Sequence, residues 1–300
     1  MHKTINLVFG SDRNNVLGLA VAAKTVLDTV SRICNIYVLN VGISSKDQEK
    51  LRNSWRSDKL GQLYFIPIDP SMLQCCRPTM YLRTKSPYVR YLLGEVIPES
   101  IERCMWLDTD LLVKSDLAEV YYQDLERNTI GAITDVSVGR RFDKDVKKRM
   151  RKLGILNSDR YFNSGVLLID LSRWRDQGIG KKLFDHANQY YEILDAQDQD
   201  GLNGVLHHQW LPLDPVWNQS QYKSNLNPSK GIIHLIGKKK PWHADYNYRF
   251  KEDFFQALNS TDFQGEKPWN PLGIGVILKQ IERKIPSAEI LYRKILRLLK

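Results

Sequence analysis

Long apolar runs are missing from this 300-residue chain. No window approaches 18 uninterrupted apolar residues, so no membrane-spanning helix is expected. The N-terminus, Met1-His2-Lys3-Thr4-Ile5-Asn6, runs straight into a strand-like segment and lacks the apolar stretch and small-residue cleavage site of a signal peptide. Cysteine is scarce. Cys34, Cys75, Cys76 and Cys104 fit no zinc spacing and read as free thiols of a reducing cytoplasm. Glycine and proline form neither a collagen period nor a low-complexity tract, and internal repeats are absent. What is present is an ordinary globular composition, 42% hydrophobic and 26% charged, in a chain long enough to bury a core without disulfide or metal staples.

Basic residues exceed acidic ones by ten, but the excess is local. Residues 140–152 hold eight Lys and Arg against two Asp, and residues 272–300 hold seven against two Glu. The rest of the chain is close to neutral. Two local anionic contacts are therefore expected rather than diffuse nucleic-acid binding, and no RNA- or DNA-binding motif is present.

Along the chain, Ile5–Phe9 reads as a buried strand ending at the turn Gly10-Ser11-Asp12. Asn14 or Asn15 is placed to cap a helix over Val16–Val30. Strands follow at 33–39 and 63–68, separated by a helix that Ser44-Ser45-Lys46-Asp47 opens. This β-α-β-α-β alternation predicts an α/β fold with a mostly parallel sheet flanked by helices. Further strands are expected at 104–107, 130–134, 166–169 and 232–235, with a short helix over 87–93, a basic helix after residue 140 and helices over 172–191 and 198–206. One catalytic domain over 1–265 and an appended basic amphipathic tail over 266–300 are expected.

The leading chemical signal is Asp108-Thr109-Asp110, directly after the strand Cys104–Leu107. Ligands of open α/β sheets bind beyond the carboxyl ends of the strands. Carboxylates at i and i+2 of an extended segment can point the same way, and oxygen ligands suit Mg²⁺ or Mn²⁺. Two solvated acids in a turn would read the same by themselves. His234, at the end of the strand 231–234, precedes Gly237 and Lys238-Lys239-Lys240. A histidine joining two aspartates favours Mn²⁺ over Ca²⁺, and lysines beside it would neutralise a diphosphate; a core histidine and a solvated lysine run are the plainer alternative. Tyr161-Phe162-Asn163-Ser164-Gly165 enters a strand with a glycine that permits close approach of a sugar. In Gln197-Asp198-Gln199-Asp200, Asp198 or Asp200 serves as a helix cap or as an acceptor for sugar hydroxyls.

Together these residues resemble the retaining glycosyltransferases of family 8, which include bacterial lipooligosaccharide galactosyltransferases and glycogenin. The resemblance runs from the first strand to about His243. It is carried in order by Val8–Asp12, Tyr88-Val89-Arg90 with Leu93-Gly94-Glu95, Trp106–Asp110, Tyr161–Gly165, Gln197–Asp200, and His234–Gly237 with Lys240–His243. One such motif is weak; six in order are specific.

The resemblance implies a GT-A fold in which Asp108, Asp110 and His234 hold Mn²⁺, with Mg²⁺ the other candidate, against the diphosphate of a UDP-hexose. It places Gly10, Ser11, Asp12 and Asn14 near uracil and ribose, with Thr109 in the same nucleotide site. Arg90, Asn163, Ser164, Asp198 and Gln199 would meet the donor sugar, Gly237 and Lys240 the diphosphate, and Asp135 both donor and acceptor. Gln199 stands at the position of the catalytic residue. An amide is a poor nucleophile, which favours front-face attack, the departing phosphate oxygen taking the acceptor proton; Asp198 is the alternative nucleophile. Gly10-Ser11 and Ser164 occupy positions that vary in the family.

The implied activity is transfer of glucose or galactose from UDP-glucose or UDP-galactose to a bacterial surface glycan or its lipid-linked precursor. The competing reading is a catalytically silent nucleotide-sugar-binding or membrane-associated interaction protein. The segment after Asp135 is expected to form a lid that attracts a phosphate-bearing acceptor, or else a solvated helix face. In the tail, Leu291, Ile295, Leu298 and Leu299 share one helical face with Arg293, Lys294, Arg297 and Lys300 largely off it. That pattern fits an anionic membrane surface, or packing on the domain or an oligomer, and places the protein in the cytoplasm on the inner face of the cell membrane.

Overall fold

Strands near the N-terminus are apolar on both faces because both faces are covered. A computed structural model describes residues 4–78, 84–135, 144–157 and 160–269. In β1 (Ile5–Asp12), Leu7 and Phe9 pack into one hydrophobic layer while Val8 points into the other. α1 (Val16–Thr29), β2 (Cys34–Val41), α2 (Ser45–Ser54) and β3 (Leu60–Pro67) continue the expected alternation, and the three strands are parallel. α2 starts after Ser44, whose Oγ accepts from Asp47 N at 3.1 Å.

Two local features differ from the sequence expectation. β1 does not stop at Gly10 but pairs with β2 through Asp12, opposite Val41. Neither Asn14 nor Asn15 caps α1 with its side chain. Asn15 holds the N-cap position without a side-chain bond, and Asp12 caps the short 3₁₀ turn Arg13–Asn15 before it, its Oδ1 accepting from Asn14 N (2.9 Å) and Asn15 Nδ2 (3.0 Å).

The chain then runs through a 3₁₀ helix at Ser86–Leu92 into α3 (Leu93–Val96), β4 (Arg103–Leu107), β5 (Leu111–Val113), α4 (Ala118–Tyr121), β6 (Ile130–Thr134) and α5 (Lys144–Lys152). β7 (Phe162–Asp170), α6 (Leu171–Asp176), α7 (Ile179–Gln189), α8 (Asp198–Leu206), β8 (Trp210–Pro212), β9 (Gln219–Ser220), β10 (Ile232–His234) and α9 (Lys251–Leu258) follow. The helical stretch expected over 172–191 is two helices, parted at Gly178, whose φ of 59° is left-handed.

The main sheet has the order β3-β2-β1-β4-β7-β6-β8, and all strands but β7 run parallel. This is the mostly parallel α/β sheet the pattern predicted. β7 begins four residues earlier than expected, so Asn163, Ser164 and Gly165 lie inside the strand rather than at its entrance. The strand at 232–234 belongs to a second, small sheet of order β5-β10-β9. Strand order reverses at β1: β2 and β3 build outward on one side, β4 on the other. That switch point is where ligands of open α/β sheets bind. Asp12 ends β1 and Asp108 follows β4.

The four cysteines are unpaired, and burial pushes the Cys34 thiol up to about 12. No helix among the described residues is long and apolar enough to cross a membrane. The tail pattern at 272–300 lies outside the described residues, as does most of the lid segment, 136–143. Trp269 still belongs to the packed domain, donating its N–H to Trp242 O at 3.0 Å.

Candidate active site

After Leu107 the chain leaves the main sheet, turns through Asp108-Thr109-Asp110 and enters the small sheet at Leu111. Backbone bonds fix the turn at both ends: Asp108 N–H donates to Gly165 O and Asp110 O accepts from Leu235 N, each at 2.8 Å. α1 presses on the same turn. A Cβ at Gly18 would stand 2.5 Å from Thr109 O and 2.4 Å from the Trp242 ring, so only glycine fits there.

His234, at the end of β10, points its Nε2 at Asp110 Oδ1 (3.2 Å) and stands 4.0 Å from Asp108 Oδ2. One ligand atom from each of the three residues lies within 4.8 Å of the others. The ring has room because β7 carries Gly165, where a Cβ would meet His234 Cε1 at 2.2 Å. That close packing by itself requires the glycine.

Hydrogen bonds also settle which ring nitrogen faces the acids. Gly165 N–H donates to Asn163 Oδ1 (3.0 Å), which identifies that atom as oxygen. Asn218 Nδ2 donates to the same oxygen (2.8 Å), so Asn218 Oδ1 faces His234 Nδ1 (2.8 Å). Nδ1 therefore donates, and Nε2 is left to face the carboxylates. A mixed set of two carboxylate oxygens and one imidazole nitrogen suits a divalent ion of the Mn²⁺ or Mg²⁺ class. The Lys240 ammonium rests on Asp110 Oδ2. Burial alone would raise the Asp110 pKa, but Lys240 and His234 outweigh it and hold the carboxyl well below its ordinary value.

Arg90 ties the cluster to the other acids. Its side chain is buried over the Trp106 ring, 4.5 Å from the centroid. Nη2 donates to Asp108 Oδ1 (2.8 Å), Nη1 to Ser164 O, and Nε reaches Asp198 Oδ2 (3.1 Å). Trp106 Nε1 donates to the same Asp108 oxygen at 2.9 Å. Burial pushes the Asp198 carboxyl up to about 6, Arg90 pulling against this and Asp108 adding to it. Asp198 also accepts from Ser164 Oγ at 3.3 Å.

Gln199 is half-buried beside it. Its Oε1 accepts from Asn163 Nδ2 (3.1 Å) and Ser164 N (3.0 Å), while Nε2 donates to Asp135 Oδ2 at 3.2 Å. Gln197, just before α8, has a φ of 51°, unusual for a side-chain-bearing residue, and its Nε2 donates to Thr84 O. Asp200 is neither cap nor sugar acceptor. It is fully buried and accepts from Arg149, Tyr161 Oη, Asp195 N and Ala196 N, which makes it a structural anchor for α8.

The end of β1 forms the other flank. Asp12 Oδ2 accepts from Thr84 Oγ1 (2.8 Å) and Ser86 Oγ (3.3 Å), so both carboxylate oxygens already have partners. Ser11 is buried, and Asn14 is exposed on the 3₁₀ turn. A Cβ at Gly10 would clash with Val89 and Trp106 at 2.5 and 2.6 Å, so packing demands glycine there too. Gly237 has a φ of 119° and lies under Tyr222. A cleft of about 600 Å³ opens beside the acid cluster, lined among others by Asp135, Asn163, Asn218, Tyr222, Lys223 and His234. Asn218 was not foreseen. It lies 16 residues from His234 in a 3₁₀ turn, and no local pattern marks it.

The family model for glycosyl transferase family 8 matches residues 6–246. The crystal structure of galactosyltransferase LgtC in complex with donor and acceptor sugar analogs superposes with a TM-score of 0.76 and 28% identity, over 86% of this chain and 96% of that one. General stress protein A of Bacillus subtilis is 27% identical over 278 residues, 85% of this chain and 90% of its own length. The lipopolysaccharide 1,3-galactosyltransferase of Salmonella typhimurium is 24% identical over 88% of this chain and 79% of its own length. The fold is accordingly of the GT-A type, and the chain belongs to glycosyl transferase family 8.

Proposed function

We propose that the protein transfers a hexose, glucose or galactose, from its UDP-sugar to a hydroxyl of a bacterial surface glycan or its lipid-linked precursor, with retention at the anomeric carbon. The observation that carries this is the convergence of Asp108, Asp110 and His234 at the strand-order switch, with Lys240 and Arg90 against the acids. The donor set fits a divalent cation, with Mn²⁺ preferred. When bound, such an ion supplies Lewis-acid stabilisation of the diphosphate leaving group.

The chain's own residues do the rest. Lys240, with the loop at Gly237, neutralises charge that develops on the departing phosphate. Asp12, Gly10, Ser11, Asn14 and Thr109 border the nucleoside pocket. Asn163, Ser164, Asp198, Gln199 and Arg90 surround the sugar, and the cleft beyond Asp135 receives the acceptor. Gln199 Oε1 is engaged by Asn163 and Ser164, and Asp198 is paired with Arg90. Both facts weaken a covalent glycosyl-enzyme and support front-face attack. The glycosidic bond leaves with its electron pair on the phosphate, the acceptor oxygen bonds to the anomeric carbon, and its proton passes to the departing phosphate oxygen. The basic tail is proposed as a contact with the cytoplasmic face of the membrane.

The test is UDP release from UDP-glucose and UDP-galactose, by wild type and Asp110→Ala, with Mn²⁺ and with EDTA. Metal-dependent release from one donor, lost in the variant, is the expected result. Binding of UDP without turnover across a broad acceptor panel would instead favour a silent nucleotide-sugar-binding protein.

A further inference from the structure

Within the basic run, the described side chains from Val146 to Lys152 divide between two faces. Arg149 turns inward, pairing with Asp200 Oδ2 at 2.6 Å and Asp195 Oδ2 at 3.2 Å and donating to Ile193 O. Met150 and Leu153 are buried on the same side. Lys147, Lys148, Arg151 and Lys152, at i, i+1, i+4 and i+5, share the opposite face of α5. All four are exposed and together line one open depression. None of them forms an ion pair among the described residues, whereas Arg149, on the same helix, forms two. Like charges at i and i+4 weaken an isolated helix, so this face is not explained by the stability of α5.

Apolar groups border the charges. Lys152 continues into a second depression with Tyr191 and Ile193, where the one acid is Glu192. Tyr191 is 37% exposed, and Leu156, four residues beyond Lys152, is 68% exposed, more than any other large hydrophobic residue described. A soluble polyanion would engage the cations and leave Leu156 in water. A bilayer satisfies both, its phosphates meeting the cations while the aliphatic and aromatic side chains enter the interface.

We propose that the outer face of α5, with Tyr191 at its edge and exposed Leu156 four residues past its C-terminus, docks on an anionic lipid bilayer. This contact is distinct from any made by the tail. The Arg149–Asp200 pair ties α5 to α8, whose first turn carries Asp198 and Gln199, so a bilayer held there lies against the element that bears the reaction site. Presentation of a lipid-linked acceptor rests on the proposed function; the docking itself rests on charge and exposure alone.

The test is flotation of the full-length protein with phosphatidylcholine vesicles, with and without phosphatidylglycerol. Each cation near an anionic surface is worth about fivefold in partitioning, so the variant Lys147→Gln/Lys148→Gln/Arg151→Gln/Lys152→Gln is expected to bind at least 100-fold more weakly. Leu156→Ser, which leaves the charges in place, is expected to lose about tenfold. A third variant neutralising Arg293, Lys294, Arg297 and Lys300 isolates the tail. Binding kept within twofold in the α5 variant, whether or not the tail variant loses it, would overturn the proposal. Binding that ignores phosphatidylglycerol, or that Leu156→Ser leaves intact while oligonucleotides compete, would also overturn it. UDP release by the same preparations reports on the active site separately.

Discussion

Replacing Gly165 with alanine pushes a methyl group into the space of the His234 ring. The added Cβ would stand 2.2 Å from Cε1, against an ordinary contact of at least 3.4 Å, so the ring must retreat by about 1.2 Å. The same methyl would stand 2.8 Å from Nδ1, the atom that Asn218 holds at 2.8 Å. Metal–ligand distances tolerate shifts of only about 0.2 Å, so the imidazole is effectively lost as a ligand while Asp108 and Asp110 stay in place. Loss of a ligand costs at least as much as the 10- to 100-fold seen for its supporting groups, so divalent-cation affinity should fall about 100-fold. Overpacking should cost about 1–3 kcal/mol of stability, leaving the domain folded. The assay is titration of Mn²⁺ followed by the electron-spin resonance of the free hydrated ion, with a urea melt on the same sample. A folded Gly165→Ala protein that binds Mn²⁺ within twofold of wild type would refute His234 as a ligand.

Other perturbations test the frame around the cluster. Arg90→Ala leaves the Asp198 carboxylate buried and Asp108 half-buried without their shared cation, and should cost about 3 kcal/mol in urea unfolding, with no rescue by Lys, which lacks the planar fork. Asp198 carries the opposite sign from a typical salt-bridged acid. Its folded pKa of about 6 exceeds its ordinary 3.8, so its contribution to stability is full below pH 3.8 and lost as pH rises through 6. Asp198→Asn should therefore gain on wild type by about 3 kcal/mol between pH 4 and 7, and a flat difference would show that the carboxyl titrates normally. Asp12→Ala removes the cap of the 13–15 turn and the acceptor for Thr84 and Ser86, and should cost about 2 kcal/mol, read as a lower melting temperature.

Much of this molecule was legible in one dimension because period and punctuation are local. The alternation through β3, the capping Ser44 and the acidic turn after β4 each depend on residues within a few positions. Direction in a sheet does not. Nothing in Val166–Ile169 says that β7 runs against its neighbours, or that 232–234 leaves the main sheet for a second one. The candidate metal residues were visible because their residue types are informative, whereas the reasons for their neighbours were not. Gly165 reads as an opening for a sugar, and the residues around it give no sign that it also makes room for a histidine 69 positions away in the chain. Arg90 looked like a sugar contact alone and also bridges Asp108 and Asp198. The run at 140–152 reads as a lid or a solvated helix face, but among the described residues helical phase turns Arg149 inward and leaves Lys147, Lys148, Arg151 and Lys152 outside.

Nucleotide-sugar binding at the Asp108–Asp110–His234 cluster is proposed to run through a divalent cation. Calorimetric titration of UDP into wild type and Asp110→Ala, each with Mn²⁺ and with EDTA, tests it most directly. Binding that needs the cation in wild type and is lost in Asp110→Ala is the expected result. Equal UDP affinity with EDTA, or an unchanged affinity in the variant, would contradict it.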